Sequence, residues 1–476
     1  MSELSFLPVL LWSDLLIWLL VAAALVLGVL SARNPPLRAA WRRVGHSRPG
    51  MAAATVLVVF VAIGLADSIH YRPRLDSRDE STGPAAYAVE VLSLLDTAVA
   101  PLRTHNEKTY SEPLATRAYA KEAIEVRAAD GSVRQTRDFP RLKYGGARLG
   151  DAETQRAGDI AGRVLCAAAL AGLLWGAVAG FCAWRLARRN GLALHAAWRG
   201  LWRGDGDFAW SAVLSTLAVI LLCALPLAVV GADYHVFGTD KVGQDVFYQV
   251  LKSVRTALVI GLVTTLVTLP LAVLLGIVAG YFRGWVDDLI QYVYTTLSSI
   301  PGVLLIAAAA LMMQVIIDTH PQWFATAAER ADLRLLALCF ILGVTSWTGL
   351  CRLLRGETLK LRELEYIQAA QAFGVSDPRI ILRHILPNLM HIVIISLVMD
   401  FSGLVLAEAV LSYVGIGVDP TMISFGTMIN NARMELARDP AVWWSLAAAF
   451  VFMFALVLAA NLLADAVRDA FDPRMG

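Results

Sequence analysis

Residues able to do chemistry are sparse in this chain, and their spacing is wrong for most reactions. Asp318 and His320 lie near the end of one apolar run. His391 and Asp400 lie in another, and Glu408 lies near that run's far end. A hydrolase or a metal centre needs two or three such groups converging from neighbouring segments. These are too scattered for that, so no catalytic or metal-ligating residue is assigned. A chain that used ATP itself would carry Gly-x-x-x-x-Gly-Lys-Ser/Thr to cradle the phosphates. None of the six lysines (108, 121, 143, 241, 252, 360) follows a glycine. His-Glu-x-x-His and Gly-x-Ser-x-Gly are also absent. The five cysteines, Cys166, Cys182, Cys223, Cys339 and Cys351, sit in or beside apolar runs without Cys-x-x-Cys spacing. They read as small buried hydrophobes. His105 is a lone histidine with a surface or structural role. The chain is therefore not expected to be an enzyme, nor to hold a cofactor of its own.

The elements that position these residues are membrane spans. Of 476 residues, 57% are hydrophobic and 17% charged, against about 45–50% and about 25% in soluble globular chains. Net charge is +2, which points to no nucleic-acid partner. Nine apolar runs, at 7–30, 51–69, 160–184, 209–231, 255–280, 288–317, 333–354, 388–412 and 441–466, approach the roughly 20 residues that cross a bilayer. The first is preceded by Glu3 and followed by Arg33, the reverse of a signal peptide. Pro226, Pro270 and Pro301 mark kinks or helix ends. Trp12, Trp184, Trp285, Trp323 and Trp443 fall near expected interfaces.

Orientation follows from basic residues. Arginines cluster at 33–50 and 185–208, and Arg and Lys cluster at 352–383. With these three connections in the cytoplasm, nine spans place the N-terminus outside and the C-terminus inside. The polar segment 70–158 is then extracytoplasmic. Within it, 87–102 has helical periodicity. The alternation over 124–139 around Asp130-Gly131 reads as a β-hairpin. The segment either braces the outer face or docks an extracytoplasmic partner.

The stretch "EYIQAAQAFGVSDPRIILRHILPN" (365–388) lies between two spans. Tyr366, Ala369, Ala370 and Phe373 fall at i, i+3, i+4 and i+7, one shallow apolar stripe. Gly374 ends that helix, and Asp377-Pro378 opens the next. Periodicity alone leaves two readings: a helix resting on lipid headgroups, or a rigid docking knuckle.

This stretch resembles the EAA loop of ABC-importer permeases, with Gln368-Ala369-Ala370, Gly374 and Leu386-Pro387 at the family's spacing. Gln368 replaces the usual glutamate, and His384 stands where isoleucine is common. Four further stretches resemble the C-type permease subunit of dipeptide/oligopeptide importers: 238–247 (Gln244 for arginine), 276–290, 408–429 (Phe425 for tryptophan) and 464–474. Together they cover about 205–476 and leave the first 200 residues unexplained.

The resemblance implies an all-α polytopic membrane protein. Its core is a type I ABC importer permease of six helices at 205–476. Outside the resemblance, the apolar runs and the polar segment add three extra N-terminal helices (1–69 and 159–204) and a small α+β extracytoplasmic insert (70–158). The resemblance implies a bacterial inner membrane, multi-pass location. It implies half a pore for di- or oligopeptides, shared with a homologous second permease. Two cytoplasmic ATPase subunits would bind ATP-Mg, and a periplasmic peptide-binding protein would deliver cargo. Gln368, Ala369, Ala370, Phe373, Gly374, Leu386 and Pro387 would couple to an ATPase. Asp400 either lines the pore or pairs at the permease interface, and Glu408 gates or makes a structural hydrogen bond. Other cargo, such as nickel or glutathione, and a plain membrane anchor for the insert remain alternatives.

Overall fold

The structure, a computed structural model, describes residues 6–74, 87–127, 133–149, 153–191, 193–203, 208–324 and 326–471. Among them, nine helices are long and apolar enough to span a bilayer: Trp12–Arg33, Arg48–Asp67, Arg156–Asn190, Trp210–Gly231, Val246–Phe282, Gly302–Thr319, Ala327–Arg362, Asp377–Val414 and Trp444–Phe471. The all-α class of the chain holds, with only small sheets.

Two expected boundaries change. The run at 288–317 is broken at Pro301: an amphipathic helix Gly284–Ser299 precedes the span Gly302–Thr319. Ile300 is extended, as the residue before a proline prefers. Pro226 and Pro270, by contrast, lie inside helices. The first run opens with a short strand, Phe6–Val9, before its helix begins at Trp12. Trp12, Trp184, Trp285, Trp323 and Trp443 are all exposed, as interface anchors must be. Cys339 and Cys351 are buried, but Cys166 and Cys223 are exposed on their helices, against the expectation of burial. An apolar side chain on a span can face lipid as well as core.

The chain divides into two compact units. The first comprises residues 1–7, 45–255 and 423–459. In it Arg156–Asn190 buries Ala167, Ala171, Ala179, Ala183 and Ala187, most of them four residues apart on one face. Small side chains let helix backbones approach closely where lipid offers no hydrophobic drive. Trp175 accordingly reaches across to donate its Nε1–H to Leu214 O at 2.8 Å. The 70–158 segment belongs to this unit. Its hairpin pairs Glu122–Arg127 with Val133–Asp138, Glu122 opposite Asp138, and the turn around Asp130-Gly131 lies outside the described residues. The single helix expected at 87–102 does not form. Leu92–Ser93 is a strand, followed by two five-residue helices, Leu94–Ala98 and Ala100–Thr104. Ser93 caps the first of these with a reciprocal Ser93–Asp96 box, and Pro101 enforces a fresh start in the second. His105 is half-buried and stacks on Tyr144, centroids 4.5 Å apart.

The second unit comprises residues 8–44, 256–422 and 460–476. Here the first span is tied to Ala327–Ser346. The Ser13 N–H donates to Asp332 Oδ2 at 3.1 Å, and the Ser13 hydroxyl donates to Oδ1. The core of the unit gathers Ile277, Tyr281, Cys351, Leu354, Ile367, Ile380, Ile385 and Leu389.

Candidate functional site

The knuckle at 365–388 is built as its residues dictate. Helix Glu365–Ala372 ends in a Schellman turn: the Val375 N–H donates to Ala370 O at 3.1 Å and the Gly374 N–H to Gln371 O at 2.9 Å. Gly374 supplies the left-handed residue, φ 74°. Asp377–Ile380 then starts with Pro378 in its first turn. Residues Ile381–Ile385 form a wide π turn leading into Leu386–Val414. Pro387 has no N–H to give to the turn before it. Asn388 Nδ2 donates to His384 O at 2.6 Å and to Tyr366 Oη at 3.2 Å, tying the π turn to the first helix of the knuckle.

The apolar stripe divides between two environments. Ile367 is 0% exposed and Ala370 packs half-buried beside it, so these two seat the helix on the core. Tyr366, Ala369 and Phe373 face outward, with Phe373 87% exposed. Leu386 is half-buried in the same core and Pro387 is exposed. Gln368 is exposed and turns back on its own chain, donating from Nε2 to Glu363 O at 3.3 Å and more weakly toward the Glu363 carboxylate at 3.5 Å. A glutamate at 368 would set two carboxylates against each other here, whereas the amide donates.

Residues that sequence reading did not single out fix the knuckle in place. Tyr281 donates its hydroxyl to Asp377 Oδ1 at 2.7 Å and accepts from Gln371 Nε2 at 3.1 Å. Arg362 Nη1 donates to Tyr281 O at 2.6 Å, and Arg283 pairs with Glu363. Asp287 accepts both arms of Arg355, at 2.5 and 2.6 Å. That paired guanidinium holds the Asp287 carboxyl below its ordinary range, against the opposing effect of burial. Gly276 and Gly280 complete the brace. A Cβ on Gly276 would lie 2.8 Å from Cys351 O, and one on Gly280 2.6 Å from Thr358 Cβ. Two glycines four apart thus let Val246–Phe282 and Thr348–Arg362 touch backbone to backbone. The stretch 276–290 is therefore the bracket of the knuckle, contributing Tyr281, Arg283 and Asp287.

Asp400 and Glu408 differ in environment. Glu408 is buried and accepts from the Ser412 hydroxyl at 2.6 Å. Asp400 is half-buried on Leu386–Val414 with no hydrogen-bond or ion-pair partner among the described residues.

The stretch 238–247 lies in the first unit. Gly238 and Gly243 have φ 70° and 78°. A Cβ on Gly243 would fall 1.9 Å from Glu107 O, and one on Gly238 2.4 Å from Ser111 O. The loop therefore lies directly on the 70–158 segment. Beneath it His235 Nδ1 contacts Asp245 at 2.7 Å and Nε2 contacts Glu107 at 3.4 Å. Glu107 also accepts the N–H groups of Lys143, Tyr144 and Gly145. Burial pushes the Glu107 carboxyl up, but the His235 and backbone donors outweigh it and bring it to about 2. Burial likewise opposes charge on His235, and the two carboxylates overcome it and raise the ring to about 9. The result is a buried imidazolium clamped between two carboxylates.

Residues 272–476 match the family model described as binding-protein-dependent transport system inner membrane component. The chain is similar to the glutathione transport system permease protein GsiD of Pectobacterium atrosepticum, 33% identical over 51% of this chain and 73% of that protein. It is similar to the oligopeptide transport system permease protein OppC of Mycobacterium tuberculosis, 33% identical over 50% of this chain and 76% of that protein. The dipeptide transport system permease protein DppC of Bacillus subtilis is 29% identical over 51% of this chain and 69% of its own length. An inward-facing structure of the MetNI methionine ABC transporter matches 46% of this chain and 96% of the other at 15% identity, with a TM-score of 0.34. With these relatives, and with nine helices among the described residues long and apolar enough to span a bilayer, the chain belongs to the inner membrane components of binding-protein-dependent transport systems, a family of multi-pass permeases rather than enzymes.

Proposed function

We propose that this chain forms half of a translocation pore for di- or oligopeptides and is driven through residues 365–388 by separate ATPase subunits that bind ATP-Mg. The observation that carries the reading is the outward stripe of Tyr366, Ala369 and Phe373 on a knuckle whose other face is locked to the core. An apolar ring as exposed as Phe373 is stabilised by burial in a partner's groove. Because the knuckle is bracketed by Tyr281 and Arg355, a displacement applied at Phe373 is passed to Thr348–Arg362 and Leu386–Val414 as a rigid body. Gln368, Ala369, Ala370, Phe373, Gly374, Leu386 and Pro387 all belong to this device, with Ala370 and Leu386 on its anchoring side.

The remaining partners are a homologous permease, a second ATPase and an extracytoplasmic solute-binding protein. The basic connections at 33–50, 185–208 and 352–383 orient the knuckle to the cytoplasm and residues 70–158 to the outside. Asp400, half-buried without a partner, is the candidate for the pore or the permease interface. Glu408 serves as a structural hydrogen-bond acceptor. Glutathione is itself a peptide, so the GsiD likeness falls within the same cargo class.

The test is uptake of labelled peptide together with co-purification of the ATPases. Ala369→Asp and Phe373→Asp lie on the exposed face and leave the core intact. Both are expected to abolish uptake and ATPase capture at unchanged membrane levels. Uptake at the parental rate in both variants overturns the coupling role.

A further inference from the structure

The chain contains one helical pattern twice, outside the knuckle and its bracket. Residues 37–44 read Leu-Arg-Ala-Ala-Trp-Arg-Arg-Val, and residues 194–201 read Leu-His-Ala-Ala-Trp-Arg-Gly-Leu. Both form amphipathic helices, Pro35–His46 and Leu194–Arg203. Each stands between two spans: Trp12–Arg33 and Arg48–Asp67 around the first, Arg156–Asn190 and Trp210–Gly231 around the second.

Equivalent positions behave alike. Val44 is buried against Val467 and Ala470, and Leu201 against Ala179, Ala183 and Leu214. Ala40 is half-buried and its counterpart Ala197 fully buried. Each helix thus docks on protein through an Ala-x-x-x-aliphatic edge. Beside that edge each helix carries partly exposed tryptophan: Trp41, edge-on to Phe471 with centroids 5.6 Å apart, in one, and Trp198 and Trp202, the latter 6.4 Å from Trp175, in the other, next to exposed arginines.

A helix face that only met water would carry both signs of charge, with acidic residues pairing the basic ones. Residues 33–48 contain five arginines and no Asp or Glu, and residues 185–203 also contain five arginines and no Asp or Glu. Single residues, Asn34 and Ser47, join the first helix to its spans, so it is held at the bilayer surface. Indole rings favour the headgroup level, and clustered arginine at that depth is attracted to anionic lipid.

We propose that Pro35–His46 and Leu194–Arg203 are two anionic-lipid-binding helices, each clamping its unit of the chain to acidic phospholipid headgroups through Trp41, Arg38, Arg42 and Arg43 in one and Trp198, Trp202, Arg199 and Arg203 in the other. Recognition is of a charged surface, so it depends on charge and not on guanidinium geometry.

The full chain is reconstituted in nanodiscs of phosphatidylcholine, with and without phosphatidylglycerol, and amide hydrogen exchange is followed at 35–46 and 194–203. Exchange is expected to slow in both segments when phosphatidylglycerol is present, and the slowing is expected to disappear at high salt. R38Q/R42Q/R43Q is expected to lose it in the first segment only, and R199Q/R203Q in the second only, while the corresponding lysine variants retain it. Equal exchange in the two lipids overturns the proposal. So does loss in the lysine variants, or equal slowing by inorganic phosphate in phosphatidylcholine alone, which would identify a site for a soluble anion. Peptide uptake is not read, so the outcome is independent of the cargo assignment.

Discussion

Tyr281 and Asp377, 96 residues apart in sequence, are joined by a hydrogen bond of 2.7 Å that ties the knuckle to the stretch 276–290. Tyr281→Phe removes this bond and the one from Gln371 while keeping the ring in the core. A hydrogen bond of this kind contributes about 1 kcal/mol net, and water can take its place at the exposed Asp377 carboxylate. Peptide uptake per molecule is expected to fall, with the ATPases still bound in pull-down. Loss of binding together with uptake would mean that Tyr281 shapes the docking surface itself.

Arg355 and Asp287 form a bidentate pair with little solvent access. Breaking such a pair from one side leaves an uncompensated charge, about 3–5 kcal/mol. Asp287→Asn and Arg355→Met are each expected to lower the thermal midpoint in detergent markedly. The double variant is expected to be milder than the sum of the two, as a double-mutant cycle reads for directly coupled groups.

Gly243 and Gly374 both hold positive φ, but only Gly243 faces backbone at short range, and a Cβ on Gly374 would meet nothing within 4 Å. Alanine at 374 is expected to cost about 1–2 kcal/mol, the left-handed penalty alone. Alanine at 243 adds a clash with Glu107 O that no side-chain motion relieves, and folded yield should drop well below that of the 374 variant. Size-exclusion recovery of the two proteins, expressed in parallel, makes the comparison.

The His235 clamp predicts a pH window. Its folded pKa, about 9, lies above its ordinary 6.5, so its stabilisation is complete below about 6.5 and is lost as pH rises through about 9. Glu107 is depressed from 4.5 to about 2, so its contribution is complete above about 4.5 and is lost as pH falls through about 2. Thermal stability should therefore weaken on the alkaline side well before lysine or tyrosine titrates. His235→Gln should flatten that limb, which a pH series of unfolding midpoints would register.

The outline of the fold was legible because a bilayer imposes length and apolarity on every span. Nine runs were expected and nine suitable helices form among the described residues. The glycine joint at 374 was legible because the helix stop is a local matter of backbone freedom. What escaped was non-local. Tyr281 looked like an ordinary residue of a short polar connection until Asp377 and Gln371 folded onto it. His235 drew no attention because Glu107 lies 128 residues earlier in sequence. Ile367 was passed over because the alanines beside it suggested the stripe, yet it is the residue that the core grips. The break at Pro301 was missed because hydrophobic periodicity ran through a proline, and the helix expected at 87–102 gave way at its start to non-local strand pairing of Leu92 and Ser93 with Tyr71 and His70.

The contact of Gly243 with Glu107 bears on how this protein can be shortened. A minimal permease cut at residue 205 would retain all five family-like stretches. It would also discard Glu107, the three backbone donors at 143–145, and the surface on which Gly238 and Gly243 rest. His235 would then face Asp245 alone in a newly wetted cavity. The 70–158 segment is thus part of the folding unit of the loop at 238–247, and transplanting that loop into a relative without the segment would require a substitute carboxylate.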